Sequence, residues 1–487
     1  MVRSTARTVL DSEWAHAPDA TIEQDPLAPH LARALLKEPG ERRLTSLDAR
    51  IQRLTRDIVR SHLDALADRN VRDGAALVVD NATGEVLAYV SASGPGSNAA
   101  EVDGVEAPRQ AGSTLKPFLY ELALERHYLT AASLLADSPL SLDTASGVYL
   151  PQDYDHDFKG LVSVRTALAS SLNVPAVRTL VLTGVETFRD RLHALGYDGI
   201  RREGAYYGYS LALGSAEVTL WQQAQAYRAL ARRGEWSPLT LKPLPVSQAS
   251  DRLLAADATF VVDDILGDPA ARTVTFGLGS YLDTSFWTAV KTGTSEDMRD
   301  NWCIGFSRQF TVAVWVGNFE GDSMHDVSGV SGAAPIWHDI MAAVENGLVS
   351  RETAAPAGVR AESTRFSPAV EPPRREWYLR GTSADWSATG RANVTAIPPS
   401  VRPSIESPAN GMIIALDPDI PRGNQRVLIA IRGASENMRI ALNDHVLGPA
   451  LPERLWVPHP GAYFLTLEDS RGRPLDRVLF TVRGTPE

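Results

Sequence analysis

The chain has 487 residues, 44% apolar and 22% charged, the composition of a soluble globular protein with length for roughly two to four domains. A net charge of −11 with no long Lys/Arg block excludes a nucleic-acid footprint, and no apolar run reaches the roughly 18 residues of a membrane span. A single cysteine, Cys303, excludes an intramolecular disulfide, and the N-terminus M-V-R-S-T-A-R-T-V-L lacks an apolar signal-peptide core, so the sequence reads as carrying no export address.

Residues 1–45 are punctuated by D-P-L-A-P-H and E-P-G-E around a short helical piece, Leu31 to Leu36, and read as a tail or linker. Asp48 is an N-cap candidate for an amphipathic helix over 49–68, with Ile51, Leu54, Ile58, Ala65 and Leu66 as its apolar face. A-A-L-V-V-D-N-A-T-G-E-V-L-A-Y-V, 75–90, predicts a β-hairpin.

Helical patterns dominate from Lys116 to about Arg233, and strand signals return at 286–294 and 309–317. A last helix follows with Pro335 near its first position, where proline is tolerated. Strands at both ends with helices between predict an antiparallel sheet assembled from distant segments, an α+β domain within 46–350.

Residues 351–404 accumulate Pro, Ser and Arg and read as a linker, although Trp377, Tyr378 and Trp386 predict that part of it packs. From 405 to 487, short strand-like runs separated by turns predict a small all-β sandwich with a hairpin turn at Asn443-Asp444.

Three short motifs carry the chemistry. R-Q-A-G-S-T-L-K-P-F-L-Y places Ser113 three residues before Lys116, one helical face apart, and Pro117 costs little if the helix begins near Ser113. A-L-A-S-S-L-N-V-P-A-V holds Ser171 and Asn173 where a helix breaks ahead of Pro175. Lys291, Thr292, Gly293 and Thr294 end an extended apolar run. Each alone has a bland reading, a surface pair, a capping turn or a strand entering a glycine turn. An S-x-x-K should arise by chance roughly once or twice in a chain this long.

Together and in order, S-x-x-K, S-x-N and K-T-G resemble the penicillin-binding protein (penicilloyl-serine transferase) family. The flanks L-A-L-G-S-A-E-V-T-L and the entry T-S-L-D-A-R-I-Q-R-L also resemble its class A bifunctional members. The tail, E-W-Y-L-R-G-T then S-P-A-N-G-M-I-I-A-L, is similar to the C-terminal module of the family's 1C branch.

The resemblance implies a transpeptidase/β-lactamase-like domain at 46–350 followed by an immunoglobulin-like sandwich. It implies Ser113 as nucleophile and Lys116 as its base, with Ser171 and Asn173 bridging Lys116 and Lys291. A serine needs a neighbour to take its proton, and a lysine does so only when burial or a second cation lowers its value from about 10.4. Lys291, Thr292, Gly293 and Thr294 would bind the substrate carboxylate. The amides of Ser113 and Thr294 would form the oxyanion hole.

The sequence has no E-x-x-L-N element for deacylating water and no tyrosine-containing counterpart of S-x-N. The expected activity is therefore a D,D-transpeptidase acting on peptidoglycan pentapeptide stems, with a D-Ala-D-Ala donor and an amine acceptor, and acylated by β-lactam antibiotics. A weakly catalytic penicillin-binding sensor or scaffold, a D,D-carboxypeptidase and a β-lactamase-type hydrolase stay open as alternatives. No cofactor, metal or nucleic-acid partner is expected.

The family's membrane helix and glycosyltransferase domain are expected to be missing, since no E-D-x-x-F-x-x-H-x-G-like motif is present. The extracytoplasmic, periplasmic location with a membrane anchor in full-length relatives follows from the substrate alone. The C-terminal module is expected to stabilise the chain or to dock a cell-wall or envelope protein. Asp153, Asp155 and Asp157 lack the Gly and Glu of a calcium loop, and Cys303 reads as a buried packing residue.

Overall fold

The structure, a computed structural model, describes residues 26–144, 147–149, 151, 158–243, 249–277, 279–384, 403–408, 412–415, 426–432, 434–435, 437–443, 445–451 and 453–483. The aspartates of the weighed calcium loop, Trp386 and Asp444 lie outside the described residues. Among the described residues no helix is long and apolar enough to cross a membrane.

The first helix of the domain, α1 (Ala49–Leu66), starts at Asp48, whose carboxylate accepts from the amides of Arg50 and Ile51. Its fully buried stripe is Gln52, Thr55, Val59 and Leu63; of the predicted apolar face, Ile51, Ile58 and Leu66 are partly buried beside it against the same core, and Ala65 is exposed. Gln52 tolerates burial because its amide exchanges hydrogen bonds with the backbone of Tyr89 at 2.7 and 2.9 Å.

The sheet is assembled from both ends of the domain. Strands β1 (Asp73–Asp80) and β2 (Val86–Ser93) form the predicted hairpin, and β3 (Ala289–Thr294), β4 (Asp300–Phe306) and β5 (Phe310–Gly317) come from the far end. The order is β3-β4-β5-β1-β2, antiparallel throughout.

Alternate residues of β1 serve two cores. Ala75, Leu77 and Val79 face the helical lobe, and Ala76 and Val78 face α1 and a C-terminal helix, α7 (Ala333–Val344). Strand β4 has no alternation because every residue in it is buried, which is why it carries no period-2 signal.

The helical lobe contributes α2 (Lys116–Glu125), α3 (Val164–Ala169), α4 (Asn173–Thr183), α5 (Leu220–Ala231) and α6 (Ala256–Leu266). The α5 start is a capping box in which Thr219 and Gln222 satisfy each other's amides.

The proline-rich stretch after this domain is not wholly a linker. Strands β6 (Val359–Thr364) and β7 (Arg374–Leu379) pair as an antiparallel hairpin. The hairpin packs on α6, where the Trp377 ring meets Phe260 edge-on at 5.1 Å and its indole N–H donates to Asp264 at 3.0 Å.

Farther on, a three-stranded and a five-stranded sheet enclose a separate core that includes Ile429, Ile440, Leu465, Leu467 and Phe480, a β-sandwich. Overall the chain is α+β, a sheet with a helical lobe followed by an all-β module.

Candidate active site

Ser113 lies in a single 3₁₀ turn, Gly112–Leu115, that runs into α2 at Lys116. The Lys116 amide donates to the Ser113 carbonyl, so the two residues are one 3₁₀ turn apart, the spacing at which side chains eclipse. Pro117 sits in the first turn of α2, where its missing N–H is harmless. Ser113 is half-buried, whereas Lys116 is 0% exposed.

Lys116 is held by the S-x-N segment. Its Nζ donates to the carbonyls of Ser171 (2.7 Å) and Leu172 (3.1 Å) and to Asn173 Oδ1 (2.7 Å). That segment is the break between α3 and α4. Ser171 has a left-handed φ of 60°, which turns its carbonyl toward Lys116, and Asn173 begins the next helix.

On the other side, Lys291 of β3 donates to the Ser171 hydroxyl at 2.8 Å and to the Thr292 carbonyl at 2.8 Å. Ser171 thus contacts one lysine through its backbone and the other through its side chain. Lys291 is 2% exposed. Burial pushes its ammonium well below the ordinary lysine value, and the charges of Lys116 and Arg272 push the same way.

Strand β3 is the outer strand of the sheet, and its end abuts the serine turn so closely that only glycines fit. A Cβ on Gly293 would lie 2.7 Å from Thr114 Cγ2 and 2.8 Å from the Ala111 carbonyl oxygen. A Cβ on Gly112, at φ +55°, would lie 2.9 Å from the Thr294 nitrogen. Gly112 in turn donates to Gly214 at 3.1 Å, where a Cβ would come within 1.9 Å of the Gly112 carbonyl oxygen. Thr294 Oγ1 accepts from the Gly329 amide at 3.0 Å.

The structure thus brings Lys116, Ser171, Asn173 and Lys291 into one hydrogen-bonded cluster, with Ser113 one 3₁₀ turn before Lys116 and with Thr292, Gly293 and Thr294 following Lys291 along β3 to its contact with the serine turn.

Several supports escaped the sequence reading. Tyr227 of α5 donates to the Thr114 carbonyl at 2.7 Å, Gln223 to Thr114 Oγ1 at 2.5 Å, and Trp302 of β4 to the Gln110 carbonyl at 2.8 Å. Together they fix the serine turn on both flanks. Only the capping box beside Gln223 gave a signal, and it marks a helix start rather than a site.

Arg272 was also missed. Its buried guanidinium donates to the carbonyls of Leu266 (3.0 Å) and Leu282 (3.1 Å), and it lines a small cavity with Lys291 and Thr292. Cys303, on β4 opposite Thr292, is fully buried, and burial pushes its thiol well above its ordinary value, as a packing residue requires.

Comparison with known proteins gives concordant results. The family described as the penicillin binding protein transpeptidase domain matches residues 74–342, and the Penicillin-Binding Protein C-terminus family matches residues 398–480. Penicillin-binding protein 1C of Escherichia coli (strain K12) is 30% identical over 417 residues, 82% of this chain and 52% of that protein. Penicillin-binding protein 1B of Vibrio cholerae is 32% identical over 362 residues, 69% of this chain and 44% of that protein. The chain thus spans about half the length of the curated relatives it matches.

Among solved structures, penicillin-binding protein 1A from Haemophilus influenzae aligns with a TM-score of 0.55 at 21% identity, covering 64% of this chain and 54% of that one. PonA1 from Mycobacterium tuberculosis, in complex with penicillin V, aligns with a TM-score of 0.54 at 24% identity, covering 63% of this chain and 86% of that one. At these identities the likeness establishes the fold.

Proposed function

This chain belongs to the penicillin-binding protein transpeptidase family, and from that premise we propose that it is a serine D,D-transpeptidase of peptidoglycan. The observation that carries the reading is Ser171, which bridges two buried lysines, with Asn173 bonded to the one that lies a turn after Ser113.

In this reading Ser113 Oγ attacks the carbonyl of the penultimate D-Ala while its proton passes to the amine of Lys116. The amides of Ser113 and Thr294 hold the developing oxyanion. The tetrahedral intermediate collapses by breaking the D-Ala–D-Ala peptide bond, and the leaving amine takes a proton through Ser171. An amine acceptor from a second stem then attacks the acyl-enzyme, loses its proton to the same relay and releases Ser113.

The outer edge of β3 suits a stem peptide lying as an added strand, its terminal carboxylate toward Lys291, Thr292 and Thr294. Asn173 orients the donor amide. A β-lactam presents the same carbonyl and carboxylate, so it acylates Ser113 and stays. The substrate sets the working location outside the cytoplasmic membrane, and glycosyltransferase activity forms no part of this reading.

The test supplies a pentapeptide donor ending in D-Ala-D-Ala together with a D-amino acid acceptor. Release of D-Ala with matching formation of the transfer product supports the reading. Release with hydrolysed donor only makes the chain a carboxypeptidase, and no release makes it a sensor or scaffold.

A further inference from the structure

The helix that presents Ser171 is short, and both of its ends are tied down. At its C-terminal end, the Ser171 amide donates to Leu168 at 3.1 Å and the Leu172 amide to Ala167 at 2.9 Å, so Ser171 moves with α3. At its N-terminal end the contacts come from far along the chain. The Ser163 amide donates to Glu371 Oε1 at 2.7 Å, and the Ser163 hydroxyl donates to Glu371 Oε2 at 2.9 Å.

One residue into the helix, Arg165 grips Glu376 of β7 with two nitrogens, at 2.9 and 2.5 Å, and pairs with Asp264 and Asp268 at 2.5 and 3.2 Å. Arg374 closes the cluster, bonding Glu371 (2.5 Å), Glu376 (3.0 Å) and Ser163 Oγ (2.9 Å).

Glu371 and Glu376 lie between the segment that matches the transpeptidase family and the segment that matches the C-terminal family. By composition they fall in a linker. Yet the Glu376 side chain is 0% exposed, and a buried carboxylate is costly once its arginine partner leaves, so the hairpin is fastened to α3 rather than resting on it.

We propose that Glu371 and Glu376 are positioning residues for the Ser171–Asn173 element, holding α3 so that Ser171 meets both lysines. The inference rests on the catalytic reading of Ser171. Burial pushes both carboxyls up, but Arg374 at Glu371, and Arg165 with Arg374 at Glu376, hold them below the usual carboxylate range and keep them charged.

The experiment uses the full chain and measures acylation by a chromogenic penicillin, split into initial binding and the chemical step. The variants are Glu376→Gln and Glu371→Gln, with Val359→Ala, a buried apolar side chain of the same hairpin, as a control of loosened packing. The glutamate variants are expected to slow the chemical step by about tenfold or more with initial binding little changed, because small displacements of a reacting group carry large rate costs. Val359→Ala is expected to lower Tm without that slowing, and Glu371→Asp to recover most of the rate.

Should Glu376→Gln fail to fold, Glu371→Gln decides, since its side chain is partly exposed. Glutamine variants that are acylated as fast as Val359→Ala overturn the positioning role. An unacylated wild-type chain overturns the catalytic reading itself, and the positioning role with it.

Discussion

Lys291 donates to the hydroxyl of Ser171 at 2.8 Å, joining the outer strand of the sheet to the break between two helices across 120 residues of sequence. Replacing Ser171 by Ala removes that bridge while leaving the backbone carbonyl that receives Lys116. Acylation by benzylpenicillin is expected to slow by about 10²–10⁴-fold, the usual worth of a positioned proton-transfer group, with little change in Tm. Stopped-flow acylation and a thermal melt on the same sample check both halves.

Gly214 and Gly112 meet too closely for any side chain. A Cβ on Gly214, already at φ +76°, would come within 1.9 Å of the Gly112 carbonyl oxygen. Gly214→Ala is expected to cost about 3 kcal/mol in urea unfolding, from left-handed strain plus a forced backbone shift. Because the shift displaces the turn carrying Ser113, the variant that remains folded should also lose most of its penicillin labelling.

The pH dependence follows from Lys291. A lysine held low in the fold binds fewer protons than the unfolded chain between its folded value and about 10.4, so stability rises with pH across that window. In the proposed mechanism the lysine pair acts after shedding a proton, so acylation should rise with pH through the same titration. Arg272→Met removes a cation that disfavours charge on Lys291, so the rising limb should move to higher pH. Arg272→Lys should leave it in place. Acylation rates across pH for the three chains decide the matter.

The C-terminal sandwich has its own core. Leu467, 0% exposed, packs there with Leu465, Ile440 and Phe480. Leu467→Ala is expected to destabilise the module by about 2–5 kcal/mol while leaving the acylation rate unchanged. Calorimetry of the full chain, read beside penicillin labelling, checks that the loss stays in the module.

The legible part of the site was the part in which chemistry restricts residue type. The proposed nucleophile with its proposed base, a polar Ser-x-Asn step and a glycine between two threonines survive as short strings in Ser113–Lys116, Ser171–Asn173 and Lys291–Thr294. The hairpin of β1 and β2 was legible from its flanking β-rich runs.

Strand β4 was not, because burial on both faces erases alternation. The apolar face of α1 was legible only at its rim, in Ile51, Ile58 and Leu66, because Gln52 at its buried centre satisfies its amide on the backbone of β2, which no hydropathy pattern encodes. The hairpin of β6 and β7 hid in proline-rich composition. Its anchors, Glu371 and Glu376, gave no signal, because their partners Ser163 and Arg165 lie 208 and 211 residues away in sequence.

The central claim, Ser113 as an activated nucleophile, is tested most directly by intact mass after incubation with benzylpenicillin, wild type beside Ser113→Ala. The account predicts one covalent adduct of the drug's mass on the wild type, persisting through prolonged incubation, and none on Ser113→Ala. An unmodified wild type, or an adduct that forms equally on Ser113→Ala, would contradict it.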